Sequence, residues 1–329
     1  MSKLRLAGAA GIVASVLSLA VFSTSMLSQR AVAAEVPEST DTIKIALFDW
    51  TGVNLNATIL SKILKAQGYN VELVTSDYLA SINTGLRTGD LTVGVEYWDT
   101  TAREAMADAD ASGQTENLGK LGPKAKEEWW FPEYMKEKCP GLPNWEALKD
   151  PKCAEAFSTP ETAPKGRYLG GPVTWGGFDD ERVEALGLPF EVVHAGTDAA
   201  MFAELESAYQ RKAPIILWIY SPHWAPAKFK GEWVQFPEYT KECYEDPKWG
   251  INPDATYDCG KPHGEIWKYG WAGMKDKWPE AYKITKNFTM DTDELNAMIG
   301  EIDLDKKSID EVADAWVAKH QADIKKWAE

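Results

Sequence analysis

Two stretches of the sequence share one pattern: an apolar strand, an amphipathic helix and a second strand. The segments are 43–48, 54–67 and 70–74 in the first unit, and 190–194, 197–211 and 213–220 in the second. A strand–helix–strand order predicts two parallel strands joined by a crossover. The last strand of the second unit is almost entirely apolar, which is typical of a strand buried on both faces. We therefore expect an α/β protein whose two units are built alike.

The first 34 residues have the pattern of an export signal. Two basic residues precede an apolar stretch at 6–22, and Ala33-Ala34 offers small residues for cleavage. An uncleaved membrane anchor is the alternative, which we disfavour because three polar residues at 23–25 interrupt the apolar pattern. The sequence therefore predicts a periplasmic protein with a signal peptide over residues 1–34.

The protein carries a formal net charge of −15 over its 329 residues. Such an acidic chain repels phosphate groups, so we expect no binding to nucleic acid or to anionic membranes. The four histidines have no metal-ligand spacing, and phosphate-loop and nucleophile motifs are absent from the sequence. We therefore expect a binding protein that is not an enzyme and holds no metal or cofactor. A secreted carbohydrate-binding or carbohydrate-hydrolysing protein is the rival class, because the chain is rich in tryptophans and carboxylates.

The four cysteines fall into two local pairs, which predicts disulfides in an exported protein. The expected bridges are Cys139–Cys153 and Cys243–Cys259, because each closes a short loop. A zinc site is the alternative. We disfavour it, since the sequence has no Cys-x-x-Cys motif and only His263 lies near a cysteine.

The chain is expected to form two lobes around a ligand cleft. The polar stretch 112–168 has weak periodicity and is interpreted as a connection into a second lobe, and 266–274 as a strand that returns to the first. We therefore assign residues 41–142 and 265–329 to lobe 1 and residues 143–264 to lobe 2.

One tryptophan lies in a run of glycines at residues 170–178, just before an expected helix start. Glycine lets the backbone approach a ligand closely, free N–H groups at a helix start attract an anion, and a tryptophan face attracts a cation. Trp175 is therefore a candidate for the positive end of a zwitterion. The N–H groups of Gly176 and Gly177 are candidates for its negative end. A turn with a core tryptophan is the alternative.

Two further aromatic residues occupy comparable positions. Trp98 ends a strand of the first lobe and Tyr220 ends the apolar strand of the second, and open α/β sheets bind ligands at such carboxyl ends. Together with Trp175, they predict an aromatic cage for a quaternary ammonium. This cation donates no hydrogen bonds, so ring faces hold it, at roughly 1–2 kcal/mol each. Core packing is the alternative for each ring alone, and we favour it for Trp218.

Three motifs carry a resemblance to a known family; they are Gly94-Val95-Glu96-Tyr97-Trp98, Pro172-Val173-Thr174-Trp175-Gly176-Gly177 and Pro214–Trp224. From Ile43 to about Trp327 the chain resembles the glycine betaine/proline betaine-type substrate-binding proteins of ABC transporters. The resemblance implies the two-lobed type II periplasmic-binding-protein fold, with a mostly parallel sheet flanked by helices in each lobe. It implies that Trp98, Trp175 and Tyr220 form the cage and that the two glycines after Trp175 bind a carboxylate. It further implies that a monomer delivers a betaine-type zwitterion to a membrane permease.

The chain departs from the family pattern after the first cage tryptophan, where some members have a carboxylate-binding histidine. Arg103 or a threonine is the candidate replacement, and a solvated position on a helix is the alternative for Arg103. Asp49 and Trp50, in the first strand–helix loop, are further candidates for lining the cleft; a helix start and a surface anchor are their alternatives. The ligand stays open between glycine betaine, proline betaine, choline and dimethylsulfoniopropionate. Choline is disfavoured because it lacks a carboxylate.

Overall fold

The computed structural model describes residues 36–329, so the predicted signal peptide, residues 1–34, lies outside the described residues. The strands are β1 (Ile43–Leu47), β2 (Val71–Thr75), β3 (Val93–Trp98), β4 (Thr115–Pro132), β5 (Pro140–Pro143), β6 (Gly166–Gly170), β7 (Phe190–His194), β8 (Leu217–Ser221), β9 (Gly231–Trp233) and β10 (Gly264–Trp271). Within this range, none of the helices combines the length and the apolar character needed to cross a membrane.

The longer α-helices alternate with strands in the first three quarters of the chain and follow one another at its end. The α-helices are α1 (Thr51–Ala66), α2 (Tyr78–Ala80), α3 (Leu86–Thr88), α4 (Arg103–Ser112), α5 (Pro151–Ala156), α6 (Asp179–Ala185), α7 (Asp198–Arg211), α8 (Ala225–Lys228), α9 (Lys241–Glu245), α10 (Met274–Lys277), α11 (Pro279–Asn287), α12 (Thr292–Asp303), α13 (Ile309–Lys319) and α14 (Gln321–Ala328). Single-turn elements are the π-helical turn Ser81–Gly85 and the 3-10 helices Glu133–Glu137, Trp145–Lys149 and Val173–Trp175. Ser308 caps α13, since its hydroxyl accepts from the N–H of Glu311 at 3.1 Å.

The strands form two sheets that share one long strand. β4 pairs with β10 as far as Ala125 and with β8 from Lys126 onwards, so it passes from the first sheet into the second. The strand order along this path is β2-β1-β3-β10-β4-β8-β6-β7, and β9 also pairs with β4. β1 and β2 pair in parallel, as the first unit of the sequence predicts. Each sheet therefore has parallel strands on its outer side and antiparallel strands where the two lobes join.

The stretch 112–168 contains a strand that sequence periodicity does not indicate. The predicted crossover into a second lobe is itself a strand over Thr115–Pro132, where β4 lies. The first half of β4 contains Gly119, Gly122 and Pro123, which have low β propensity. Pairing with β10, β8 and β9 stabilises the strand in spite of this composition. The change of partner precedes the expected lobe boundary at residue 142, and the boundaries themselves stay a prediction.

The second α/β unit is offset by one strand from the one expected. Its predicted strands, β7 and β8, are not neighbours, because β6 lies between them and pairs in parallel with both. The order β7-β6-β8 therefore corresponds to β2-β1-β3. As a result, the glycine loop after β6 corresponds to the loop after β1, and the end of β8 corresponds to the end of β3.

Two disulfides join Cys139 to Cys153 and Cys243 to Cys259, which confirms the predicted pairing. The Cα atoms of the two pairs lie 4.6 and 6.4 Å apart, within the usual range for a bridge. No free cysteine is found in residues 36–329, so the zinc alternative is wrong.

We expect the double variant Cys139→Ala/Cys153→Ala to lower the free energy of unfolding by about 3 kcal/mol, because a bridge across a short loop restricts the unfolded chain. The two cysteines are 14 residues apart. Alanine is used because both positions are buried, where a serine hydroxyl would need a partner. Urea unfolding followed by tryptophan fluorescence measures the change. A loss below about 1 kcal/mol would show that this bridge adds little to the stability of the folded chain.

Candidate functional site

A small cavity lies between the two sheets and is walled mainly by aromatic rings. Its lining residues are Trp50, Tyr78, Trp98, Thr101, Glu127, Trp175 and Tyr220. About 270 Å³ of space lies between the lining atoms of the cavity, part of it open to solvent. Three of its rings, Trp98, Trp175 and Tyr220, are those that the sequence analysis places together, and Trp50 joins them.

The four main rings lie at the carboxyl ends of parallel strands, two from each lobe. Trp50 follows β1 and Trp98 ends β3, while Trp175 follows β6 and Tyr220 lies in β8. Because β6 corresponds to β1 and β8 to β3, the two lobes supply rings from equivalent positions. This is the edge at which open α/β sheets bind their ligands.

The rings meet edge to face across the cleft. The ring centroids of Trp50 and Trp175 lie 5.6 Å apart at 81°, and those of Trp98 and Tyr220 lie 5.6 Å apart at 86°. Trp175 and Tyr220, both from the second lobe, are 5.9 Å apart at 82°. All four rings are buried. Ring faces attract a compact cation within roughly 6 Å, so these four rings are candidates to hold one.

Glu127 is the acidic member of the cavity wall. It lies in β4 directly opposite Tyr220 in β8, so strand register carries it into the cage. The Thr100 hydroxyl donates to its Oε2. Burial raises the pKa of Glu127 to about 7, against the lowering effects of the Thr100 bond and of the Lys261 charge. A carboxyl group that is part protonated at neutral pH can donate or accept one hydrogen bond inside an otherwise apolar cage.

In the glycine turn next to Trp175, one backbone N–H donor is used within the turn itself. The N–H of Gly176 donates to the carbonyl of Val173 at 3.2 Å, which closes the 3-10 turn. This use of the donor argues against the carboxylate role expected for Gly176. The φ angles of Gly176 and Gly177 are +76° and +122°, which a side chain would strain. The carbonyl of Gly177 accepts from the buried Lys261 ammonium, and the role of its N–H stays a prediction.

Comparison with known proteins identifies the family. Residues 41–319 match the family described as the substrate binding domain of the ABC-type glycine betaine transport system. The chain belongs to this family. The resemblance carried by the three sequence motifs is therefore confirmed.

Two relatives of this substrate-binding domain are named for their ligands. The trimethylamine N-oxide-binding protein of Pelagibacter ubique (strain HTCC1062) is 31% identical over 293 residues, which cover 87% of this chain and 90% of that protein. The glycine betaine/proline betaine-binding periplasmic protein of Escherichia coli (strain K12) is 24% identical over 324 residues, which cover 95% of this chain and 96% of that protein.

A solved structure shows the fold of the substrate-binding domain. The glycine betaine/L-proline-binding protein of Borrelia burgdorferi superposes with a TM-score of 0.69 at 18% identity, covering 87% of this chain and 96% of that chain. The expected fold class, α/β with the two-lobed type II periplasmic-binding-protein architecture, is confirmed.

Four predicted site residues lie outside the cavity wall of this substrate-binding domain: Gly176 and Gly177 in the turn after Trp175, and Asp49 and Arg103. Asp49 is exposed, just before α1. Arg103 is exposed on α4, where its Nε donates to the Asp99 carbonyl at 3.1 Å and its guanidinium lies 5.6 Å from the Tyr239 ring. The structure therefore places Arg103 on a helix surface, which was the alternative to a role in binding carboxylate.

Tyr78 and Glu127 of the wall are absent from the sequence predictions, whereas Thr101 is one of the two threonines after Trp98 that are candidates there to replace a carboxylate-binding histidine. Tyr78 supports the cage, because its hydroxyl accepts from the N–H of Trp98 at 2.8 Å. The available signal for Glu127 was an acidic pair directly before three aromatic residues, at 127–131. Within residues 36–329 no cluster of three or more potential metal ligands is found.

Proposed function

We propose that this protein captures trimethylamine N-oxide in the aromatic cage and delivers it to the permease of an ABC transporter. The observation that carries the proposal is a buried acid, Glu127, in the wall of a cavity whose other large side chains are aromatic. The rings suit the three methyl groups around the positive nitrogen. The oxygen of this ligand is bonded directly to that nitrogen, so its hydrogen-bond partner must stand in the cage itself, as Glu127 does.

A betaine fits this wall less well. Its carboxylate extends beyond the methylated nitrogen and needs several donors. The Gly176 donor is used within its turn, and Arg103 lies on a helix surface away from the cavity wall. Choline is the second candidate, because its hydroxyl can donate to ionised Glu127. The name of the relative from Pelagibacter ubique also favours the N-oxide.

Ligand binding is coupled to lobe closure, because each lobe supplies half of the cage. Asp303 at the end of α12 joins the lobes in this closed form: it accepts from the Thr51 hydroxyl and from the Trp224 indole, each at 2.7 Å. A ligand that contacts both lobes binds the closed form better and shifts the population toward it. The closed, exported protein then presents the ligand to the permease.

Isothermal titration of the purified mature protein at pH 6 tests the proposal. We expect trimethylamine N-oxide to bind at least about tenfold more tightly than glycine betaine or choline. Tighter binding of glycine betaine would show that the cage accepts a carboxylate and that the N-oxide assignment is wrong. If the protein binds none of the three compounds, the cage is not a ligand site.

A further inference from the structure

The carboxylate of Glu96 accepts hydrogen bonds from two of the four cage rings. Its Oε2 accepts from the indole Nε1 of Trp50 at 2.7 Å and from that of Trp98 at 3.3 Å. Its Oε1 accepts from Asn56 Nδ2 at 2.5 Å. Glu96 is 1% exposed and lies two residues before Trp98 in β3, so strand alternation puts both side chains on one face. One buried acid thus holds both first-lobe tryptophans.

Glu96 lies in surroundings that disfavour its charge. Burial raises the pKa of Glu96 to about 7, while hydrogen bonds from Trp50, Asn56 and Trp98, all uncharged donors, lower it. Burying a carboxylate without a cation destabilises a fold, whereas a neutral side chain of the same size avoids this effect. Perturbed acids of this kind gather at functional sites. Gly52 leaves room for the Glu96 carboxyl group, because an added Cβ at this position would lie only 3.3 Å from Glu96 Oε1.

We propose that Glu96 is a positioning residue of the cage, which aims Trp50 and Trp98 at the cation and makes their ring faces more negative. Each of these rings is the first-lobe member of a pair that crosses the cleft, Trp50 with Trp175 and Trp98 with Tyr220. An indole N–H that donates to a carboxylate shifts electron density into the ring. Cation–π attraction grows with that density, so Glu96 strengthens the hold on an onium ligand without touching it.

The second lobe has a similar contact between a cage ring and a buried acidic side chain. The Tyr220 hydroxyl donates to Oδ1 of the buried Asp198 at 2.8 Å. Three of the four rings thus donate from their polar edge to a buried acidic side chain. The recurrence at an equivalent strand end supports a role in recognition. The inference rests on the proposed function, since the cage must hold an onium compound.

The variant Glu96→Gln keeps the size of the side chain and removes its charge. At pH 8, above the pKa of about 7 of Glu96, we expect it to bind trimethylamine N-oxide at least about tenfold more weakly. We also expect the ¹⁵N–¹H indole resonances of Trp50 and Trp98, assigned with the Trp50→Phe and Trp98→Phe variants, to move upfield. The matched control is Glu72→Gln, which makes the same change at an exposed glutamate of β2 that does not line the cavity. It should bind within about threefold of the unmodified protein, with both resonances in place.

A neutral isostere separates recognition of charge from mere packing. tert-Butanol has the shape of trimethylamine N-oxide without the positive nitrogen, and its affinity is measured by displacement of the N-oxide. We expect Glu96→Gln to lower the ratio of the two affinities. An equal loss for both ligands, an affinity within about threefold of the unmodified protein, or unmoved indole resonances would overturn the proposal.

If Glu96→Gln does not fold, the unmodified protein still tests the proposal. Its Trp50 and Trp98 indole resonances should lie downfield of an exposed indole such as Trp249, which is 59% exposed. Ordinary positions for both would overturn the role of Glu96. These resonances are read without ligand. A failure of trimethylamine N-oxide to bind would therefore reject the proposed function and leave the Glu96 result readable.

Discussion

Trimethylamine N-oxide should bind roughly a hundredfold more weakly at pH 9 than at pH 6. The reason is that burial raises the pKa of Glu127 to about 7. Only the protonated carboxyl has an O–H to donate to the N-oxide oxygen, and the ionised form repels that oxygen. The competent fraction is nearly complete at pH 6 and falls about tenfold for each pH unit above the pKa. Titration calorimetry in buffers of matched ionic strength measures this slope.

The affinities for trimethylamine N-oxide and for choline should change with pH in opposite directions. Choline donates its hydroxyl, so it prefers ionised Glu127 and should bind more tightly as the pH rises through about 7. The charged groups that face Glu127 are Lys261, Asp179 and Glu128: the Lys261 charge lowers its pKa and the two acids raise it. A slope of the choline sign with trimethylamine N-oxide would contradict the proposed proton donor.

The Glu127→Gln variant is the control for the titrating group. Its amide N–H can donate to the N-oxide at every pH, so we expect affinity within about tenfold of the unmodified protein at pH 6 and no fall in affinity as the pH rises. Burial also raises the pKa of Glu96 to about 7. Ionisation of Glu96 strengthens the onium contact, so a loss of affinity with rising pH that survives in Glu127→Gln would remove the titration from Glu127 without assigning it to Glu96.

The rings of the cage could be predicted from the sequence because their positions depend on local order. A strand pattern shows where a strand ends, and the carboxyl ends of parallel strands meet at one edge of a sheet. Trp98 and Tyr220 end strands, and Trp175 follows one, so each ring could be placed by its own segment. The contact between Glu96 and Trp98 is also local, since the two are separated by one residue in β3.

Glu127 could not be predicted, because its position depends on pairing between distant segments. It enters the cage only because β4 pairs with β8 in the register that sets Glu127 opposite Tyr220. No periodicity in 112–168 indicates β4, whose first half is rich in glycine and lysine. The same limit explains the offset repeat: sequence order places β7 beside β8, and only the tertiary pairing puts β6 between them. Local patterns therefore gave the apolar part of the site and missed its polar partner.

The Trp175→Ala variant should bind trimethylamine N-oxide about a hundredfold more weakly, a loss of roughly 2.7 kcal/mol. The Trp175 ring lies 5.6 Å from Trp50, 5.9 Å from Tyr220 and 6.1 Å from Trp218. Its removal takes away one desolvated cation–π contact, worth about 2 kcal/mol. It also takes away edge contacts to the neighbouring rings, at about 0.5–1.5 kcal/mol each, but these are lost from the free protein as well, so only a small part of them lowers the affinity. Titration calorimetry at pH 6 measures the loss.

A matched tryptophan on the surface separates the loss of a binding ring from a general loss of fold. Trp249 is 59% exposed, whereas Trp175 is 6% exposed, so Trp249→Ala makes the same chemical change away from the cage and should leave affinity within about threefold. Trp175→Phe keeps a ring of weaker cation–π attraction and should fall between the alanine variant and the unmodified protein. Near-ultraviolet circular dichroism and urea unfolding establish that each variant is folded. If folded Trp175→Ala bound as tightly as Trp249→Ala, Trp175 would be a core residue and the onium ligand would have to lie elsewhere.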